Sequence, residues 1–497
     1  MTFLADVIAA FQGLAWMDYV AILIGIVIGY IAGILPGLGA SQAMALLIPL
    51  TYGTNPLRAI IMLMTVAGAA PSGGSVTSIL LNTPGEATNV ATCWDGYPLA
   101  RQGRAGLALG AAGTASLMGA LVGILVLMVF LPIGRAIVLT FSYPELFAMA
   151  LAGLISIILV DVKNLWKGFI SLALGMVIAA IGYDPVTGSL RYTFGTMYLW
   201  NGIKMVPALV GIFAISEGIK LVVEDRGETK AGEKTQFRAT YYDVFAGAKA
   251  VFRNFWLTLQ SAVIGVIIGI IPGIGGSVSN LLAYGAASQM CRENPQFGKG
   301  DIRGVIAAEA GSNSKGGELV PTVIFGIPGS VTCAVLLSAL MLHGIQPGPR
   351  LILEKPMIVY GLIIAILFGS MVASFITVFA APYFSSVPNI PDSILGLSII
   401  VLGVLGGYAT ELNFHDAIVA IIFGFLGYFM SEFRYSKVAV VMTLVLGKIL
   451  QVNFFLTMDT MGLTGFLRPI PLVIFVLCAL MIVKTLMRKN YKKEDEP

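Results

Sequence analysis

The chain alternates long apolar runs with short polar turns. The runs cover residues 18–35, 58–70, 106–138, 143–160, 166–182 and 200–222, then 357–382, 393–410, 415–430, 437–450 and 469–487. A helix needs about 20 mostly apolar residues to cross a bilayer, so most of these runs predict membrane-spanning helices. The first run ends at Gly33-Ile34-Leu35-Pro36-Gly37-Leu38-Gly39-Ala40-Ser41. The same interruption recurs at Gly269-Ile270-Ile271-Pro272-Gly273-Ile274-Gly275-Gly276-Ser277. Pro272 stands 236 positions after Pro36, and the flanking glycines keep that spacing. Proline withholds a backbone donor and glycine accepts positive φ, so each copy predicts a broken helix. In a bilayer the freed backbone groups must face protein or a watery cavity.

A second pair of interruptions is polar. Residues 70–89 hold Ser72-Gly73-Gly74-Ser75, a short apolar core Val76–Leu81, and Asn82-Thr83-Pro84-Gly85-Glu86. Residues 311–332 repeat the plan, with Gly317 on Gly73, Gly329 on Gly85 and Thr332 on Thr88, now 244 positions apart. Cores this short cannot cross a bilayer and predict two re-entrant hairpins. The polar stretch Trp94–Arg104 reads as a loop.

Residues 2–15 are too short to span and predict an interfacial helix; the stretch from Asp243 to Phe252 is its counterpart. The first carries Asp6, with Asp18 beyond it, and no cation, whereas the second carries Lys249 and Arg253 nearby. Cytoplasmic segments are rich in Lys and Arg, so the two copies should lie on opposite faces. The predicted fold is an all-α polytopic membrane protein of two inverted repeats, each with a broken helix and a re-entrant hairpin, plus an extra C-terminal helix. The units are a first repeat (1–222), a polar cytoplasmic linker with an interfacial helix (223–254), a second repeat (255–468), and a last span with a basic cytoplasmic tail (469–497). The N-terminus is expected outside.

Composition agrees. Of 497 residues, 57% are hydrophobic and 11% charged, with mean hydropathy +0.89, against about 25% charge in soluble domains. A net charge of +4 gives no reason to expect nucleic acid. The first 57 residues lack Lys and Arg, so no basic signal region is visible. Cys93, Cys291, Cys333 and Cys478 lack metal or redox spacing and read as small apolar residues.

Matched interruptions in two halves are a pointer to a transporter binding site. Helix N-termini expose N–H groups that hold anions without a side-chain cation. The candidate substrate positions are Gly37, Gly39, Ser41, Ser75, Asn82, Thr83 and Gly85, then Gly273, Gly275, Ser277, Asn280, Gly329 and Ser330. Carbonyls at the breaks suit a small cation, which makes Pro36 and Pro272 candidate coupling positions together with Glu309, Asn313 and Lys315. Glu309, Lys315 and Glu318 align with uncharged Thr65, Pro71 and Gly74. Charge at membrane depth is functional by default, although a local ion pair holding the hairpin is an equal reading. Glu86 and Asp95 read as loop residues, and His343 and His415 as structural. No nucleophile, metal cluster or phosphate loop appears, so neither an ATPase nor a cofactor enzyme is expected.

The Gly-Ile-Leu-Pro-Gly-Leu-Gly-Ala element, Ser-Gly-Gly-Ser with Leu-Asn-Thr-Pro-Gly-Glu, and Gly-Gly-Glu-Leu-Val-Pro-Thr with Gly-Ile-Pro-Gly-Ser resemble the large membrane subunit of tripartite tricarboxylate transporters. The resemblance covers nearly the whole chain. It implies a secondary transporter in a bacterial inner membrane, a small four-helix membrane subunit and a periplasmic substrate-binding protein as partners, and uptake of di- or tricarboxylates or aromatic carboxylates driven by a Na⁺ or H⁺ gradient. The rival classes are an anion channel and, further off, a membrane enzyme.

Overall fold

Small residues decide how closely the apolar helices approach. In the computed structural model, residues 2–35, 38–138, 141–160, 165–184, 186–224, 239–273, 275–291, 296–386, 392–409 and 412–494 are described. The first half holds α1 (Thr2–Gln12), α2 (Trp16–Ile34), α3 (Ala40–Leu47), α4 (Pro56–Leu81), α5 (Val90–Arg101) and α6 (Ala105–Val138). It continues through α7 (Tyr143–Val160), α8 (Leu165–Ala179), α9 (Met205–Leu209) and α10 (Ser216–Glu224), with a two-stranded antiparallel ribbon pairing Gly182 with Arg191 and Tyr183 with Leu190. The second half holds α11 (Tyr241–Arg253), α12 (Phe255–Ile270), α13 (Gly275–Met290), α14 (Ile302–Ser312), α15 (Gly316–Phe325) and α16 (Val331–Leu342). After these come α17 (Pro349–Glu354), α18 (Pro356–Phe379), α19 (Asp392–Ala409), α20 (Phe414–Glu432), α21 (Lys437–Met461) and α22 (Pro469–Glu494). Among the described residues seven helices are long and apolar enough to cross a membrane, or eight if α11 and α12, bent by 75°, form one span. The chain is a multi-pass all-α membrane protein.

Glycines set the central packing. Gly25 faces Met62 and Thr65, Gly29 faces Val66, and Gly33 faces Ala70 and Gly74, so α2 runs beside α4 in the same direction. Gly265 faces Gly311, and Gly269 faces Gly317 and Glu318, so α12 runs likewise beside α14 and α15. A Cβ at Gly25 would stand 2.6 Å from the Met62 carbonyl oxygen. Without a hydrophobic drive between helices, such close backbone approach is what holds them.

The Pro-Gly-x-Gly elements do not sit inside through-going helices. After the first, α3 and the turn Ile48–Thr51 fold back along α2, where Leu50 and Thr51 share a small cleft with Met17, Val20 and Ala21. After the second, α13 folds back: Gly311 faces Ser279, Asn280 Nδ2 donates to Ala308 O, and Tyr284 lies against Gly304. In both halves the helices that flank the element therefore form a hairpin, α2 with α3 and α12 with α13.

The polar stretch 70–81 differs from expectation in the opposite sense. It continues α4 without a break, and α4 is almost wholly buried. Three of its hydroxyls bond back onto the same helix: Ser75 Oγ donates to Pro71 O at 2.9 Å, Thr77 Oγ1 to Gly74 O at 3.2 Å and Ser78 Oγ to Gly74 O at 2.8 Å. The Gly73-Gly74 pair serves the approach of α2, since a Cβ at Gly73 would overlap the Tyr30 carbonyl. The break falls later, at Asn82, whose φ of 54° ends α4. Trp94–Arg101, expected as loop, is helix α5, and Asp95 on it is buried. The second half does break where expected. Asn313 ends α14, Lys315 precedes α15, and Gly326 (φ 71°) ends α15 at the position aligned with Asn82.

Candidate functional site

The two hairpin tips meet the two helix breaks, and the local packing is the same in both halves. Gly85 abuts the backbone of Gly33 and Gly74, and Gly329 abuts the backbone of Glu318, the residue aligned with Gly74. Gly39 lies against Glu86, and Gly275 lies against Ser330, its aligned pair. A Cβ at any of these glycines would collide. The halves then touch each other: the Thr88 methyl packs on Gly276, and Ala91 N donates to Asn280 Oδ1 at 2.7 Å.

Helix N-termini at the tips face the protein's own carboxylates. Ala40 N, at the start of α3, donates to Glu86 Oε2 at 2.9 Å, while Thr88 Oγ1 donates to Oε1 at 2.6 Å. Glu318 Oε1 lies against Gly276 at the start of α13. Negative charge at a helix N-terminus is stabilising by about 0.3–1 kcal/mol, more when partly buried. Glu318 is buried, Glu86 half-buried.

Lys315 is the only Lys or Arg that is buried among the described residues. Its Nζ donates to Ala67 O at 2.7 Å. That carbonyl is free because Pro71, four residues on, has no N–H to give it. Asn89 Nδ2 reaches Pro71 O, which also accepts from Ser75 Oγ, at 3.1 Å. A proline inside a helix costs about 3 kcal/mol, and Lys315, a donor from outside α4, offsets part of it. Glu309 is fully buried and accepts from Thr92 Oγ1 (2.6 Å), Ser116 Oγ (2.9 Å), Asn313 Nδ2 (3.2 Å) and Asn89 Nδ2 (3.3 Å).

The expected site residues fall into three groups. Gly39, Gly85, Gly273, Gly275, Ser277, Gly329, Ser330 and Pro272 gather at the tips and breaks; Gly273 N donates to Pro328 O, and Ser330 Oγ caps α16 by accepting from Cys333 N. Ser75, Asn280, Glu309, Asn313 and Lys315 are buried between helices with hydrogen bonds of their own. Asn82 and Thr83 are exposed at the end of α4, and Ser41 is half-buried with its Oγ on Gln42 Oε1. Pro36 and Gly37 lie outside the described residues. Glu86 remains in the turn between helices but caps α3. Asp95 is corrected from loop to core, where Tyr284 Oη, Gly300 N and Asp301 N donate to it. His343 contacts Thr51, and His415 stacks on Tyr198. Sequence reasoning missed Thr88, Asn89, Thr92 and Ser116. Their one visible signal is polarity inside otherwise apolar segments.

A model of the tripartite tricarboxylate transporter TctA family matches residues 19–442. An uncharacterized 52.8 kDa protein in the TAR-I ttuC' 3' region of Agrobacterium vitis is 30% identical over 430 residues, covering 86% of this chain and 84% of that protein. A second, an uncharacterized protein in the TAR-II ttuC' 3' region of the same organism, is 26% identical over 188 residues, covering 38% of this chain and 78% of that protein. No solved structure matches the chain significantly.

Proposed function

The chain belongs to the tripartite tricarboxylate transporter TctA family, and on that premise we propose that it is the large transmembrane subunit of a secondary transporter that takes up carboxylate anions. A small four-helix membrane subunit and a periplasmic substrate-binding protein complete the system in a bacterial inner membrane, and a Na⁺ or H⁺ gradient drives it. The substrate class is di- or tricarboxylates or aromatic carboxylates. The anion binds where the tips meet, among Gly39, Ser41, Gly273, Gly275, Ser277 and Ser330, and Gly37, outside the described residues, is a further candidate. Asn82, Thr83, Gly85 and Gly329 shape the entrance, and Ser75 and Asn280 support it from behind. Coupling involves Pro36, Pro272, Glu309, Asn313 and Lys315.

The carrying observation is the recurrence of one close-packed tip in both halves, facing across a shared polar centre that contains one buried lysine. Helix direction supports an inverted repeat. Asn89 lies at Gly74 and Gly96 at Ile79, so α5 follows the direction of α4; Thr92 meets Glu309 and Asp95 meets Asp301 N, so α5 opposes α14. Hence α4 and α14 run oppositely. With Lys249 and Arg253 on the cytoplasmic face, the N-terminus lies outside.

The test is uptake into proteoliposomes holding both membrane subunits, supplied with the binding protein and a panel of labelled carboxylates. Saturable uptake that needs the binding protein and an ion gradient, and that Ser277→Ala and Ser330→Ala weaken, is expected. Flux that never saturates and needs no binding protein would make the protein a channel.

A further inference from the structure

Helix α11 is buried on one side only. Val244, Gly247 and Val251 face inward. A Cβ at Gly247 would stand 2.1 Å from the Leu107 carbonyl oxygen, and one at Gly110 would stand 2.0 Å from that of Val244, so α11 is packed backbone to backbone on α6. The other side carries Tyr242, Phe245, Lys249, Phe252 and Arg253, with Trp256 just beyond, at the spacing of a single helical stripe. All six are exposed, Tyr242 by 84% and Trp256 by 73%. The end of α18 extends the aromatic surface. The Phe379 ring lies 6.2 Å from that of Phe245 and 6.1 Å from that of Phe375, and Tyr241 Oη donates to Phe379 O. Helix α12 then turns away from α11 by 75°.

We propose that this outward face of α11 binds anionic phospholipid of the cytoplasmic leaflet, with phosphate on Lys249 and Arg253 and acyl chains against Phe245, Phe252 and Trp256. Aromatic side chains gather at the level of the lipid headgroups, and a helix lying at that level turns its aromatic and basic face to lipid. Neither Lys249 nor Arg253 has an ion-pair partner among the described residues. The stripe holds no acid. Asp243 lies off it and accepts from Thr240 Oγ1. The countercharge therefore comes from outside the chain, and at headgroup depth the anions are lipid phosphates. The counterpart helix α1 carries Asp6 and no Lys or Arg, so the surface belongs to one leaflet.

The packing also carries occupancy inward. Helix α6, which holds α11, abuts the Ala310 backbone at Gly119 and the backbone of Ser314 and Gly316 at Gly123, and its Ser116 Oγ donates to Glu309. Lipid bound at α11 thus acts on the helix against which the second break packs. A difference in that packing between transport states becomes a dependence of uptake on anionic lipid. The surface itself stands apart from the transport reading; only this effect on uptake rests on it.

The experiment uses the full-length chain in nanodiscs of phosphatidylcholine and phosphatidylglycerol, with Trp16, Trp94, Trp166 and Trp200 replaced by Phe so that Trp256 is the single fluorophore. One lipid or the other is brominated on its acyl chains, and quenching of Trp256 reads which lipid lies beside it. Brominated phosphatidylglycerol should quench more than brominated phosphatidylcholine at equal mole fraction. Lys249→Gln and Arg253→Gln should each lower that preference about fivefold, and about 1 M salt should lower it without any substitution. The salt arm keeps the test valid if either variant folds poorly. Should the single-tryptophan chain itself fold poorly, the wild-type unfolding midpoint replaces quenching, raised by phosphatidylglycerol and returned by salt. Equal quenching by the two lipids overturns the proposal, as does a preference that neither the substitutions nor salt change. Loss of the preference in excess soluble glycerol 3-phosphate overturns it in favour of a soluble anion. Quenching that disappears when the small membrane subunit is added overturns it in favour of a protein partner. Carboxylate uptake without a lipid preference ends this inference and leaves the transport reading standing; a lipid preference without uptake in any lipid does the reverse. Uptake that is the same in both lipids overturns the link through α6.

Discussion

The two halves share one backbone plan at their centre and fill it with opposite chemistry. In the first, α4 runs unbroken through Thr65, Pro71 and Gly74. In the second, the aligned Glu309, Lys315 and Glu318 lie on two helices separated by a break. The neutral half supplies what the charged half needs. Pro71 frees the Ala67 carbonyl, and Lys315, the residue aligned with Pro71, takes it. A repeat that duplicated its charges would bury six ionisable groups at these positions, each costly without a partner. Dividing the roles leaves three, together with neutral groups that bond them.

If the shared plan is packing, then breaking it in either half should do equal harm. Gly85→Val and Gly329→Val each push a side chain into backbone and should cost above about 3 kcal/mol. Both should lose the monodisperse peak in size-exclusion chromatography; a benign result in one alone would break the equivalence.

The crossed Pro71–Lys315 relation predicts the next effect in size. Lys315→Met leaves Ala67 O unpaired and removes the cation near Glu318, at about 2–3 kcal/mol. It should lower the unfolding midpoint and stop uptake. Pro71→Ala returns an N–H to Ala67 O, so Lys315→Met should cost clearly less in that background. Equal costs in the two backgrounds would mean that the proline and the lysine are unrelated.

Smaller effects probe the caps. Glu86→Gln keeps the hydrogen bond to Ala40 N but loses the charge, at about 0.3–1 kcal/mol. Carboxylate affinity should change with it, measured as KM for uptake. The smallest effect lies at two helix starts, where Asn55 caps α4 and Asp301 caps α14. Burial works to raise the Asp301 pKa, but the Arg303 side chain and the N–H groups of Arg303 and Gln296 outweigh it and hold the carboxyl below its ordinary range. Its stabilisation is therefore present above the usual carboxylate range and is lost as pH falls through the depressed value. Asp301→Asn, which mimics the other half, should cost under about 1 kcal/mol at neutral pH, and the difference from wild type should vanish in acid.

Most helix positions were legible because apolar runs of spanning length leave little choice: the run 18–35 is Trp16–Ile34 and 415–430 is Phe414–Glu432. The repeated tips were legible for the same local reason, since Pro and Gly act on their own backbone. What misled was polarity. Ser72 to Ser78 looked like a break because small polar residues usually mark turns. In α4 the hydroxyls of Ser75, Thr77 and Ser78 turn onto the helix and the glycines admit α2. Asp95 looked like loop because its donors, Tyr284, Gly300 and Asp301, are some two hundred positions away. The partners of Glu86 and Glu309 were hidden likewise, because the caps and cages that use them are assembled only by the fold.

The most direct test of the account is substrate protection at the meeting of the tips. In proteoliposomes containing both membrane subunits, with native Cys291 replaced by Ser, Thr88→Cys and Ser277→Cys are exposed to an impermeant anionic thiol reagent with and without a transported carboxylate. The account predicts that both cysteines react and that the carboxylate slows both reactions. Equal labelling with and without carboxylate at both positions, in protein that still transports, would contradict it.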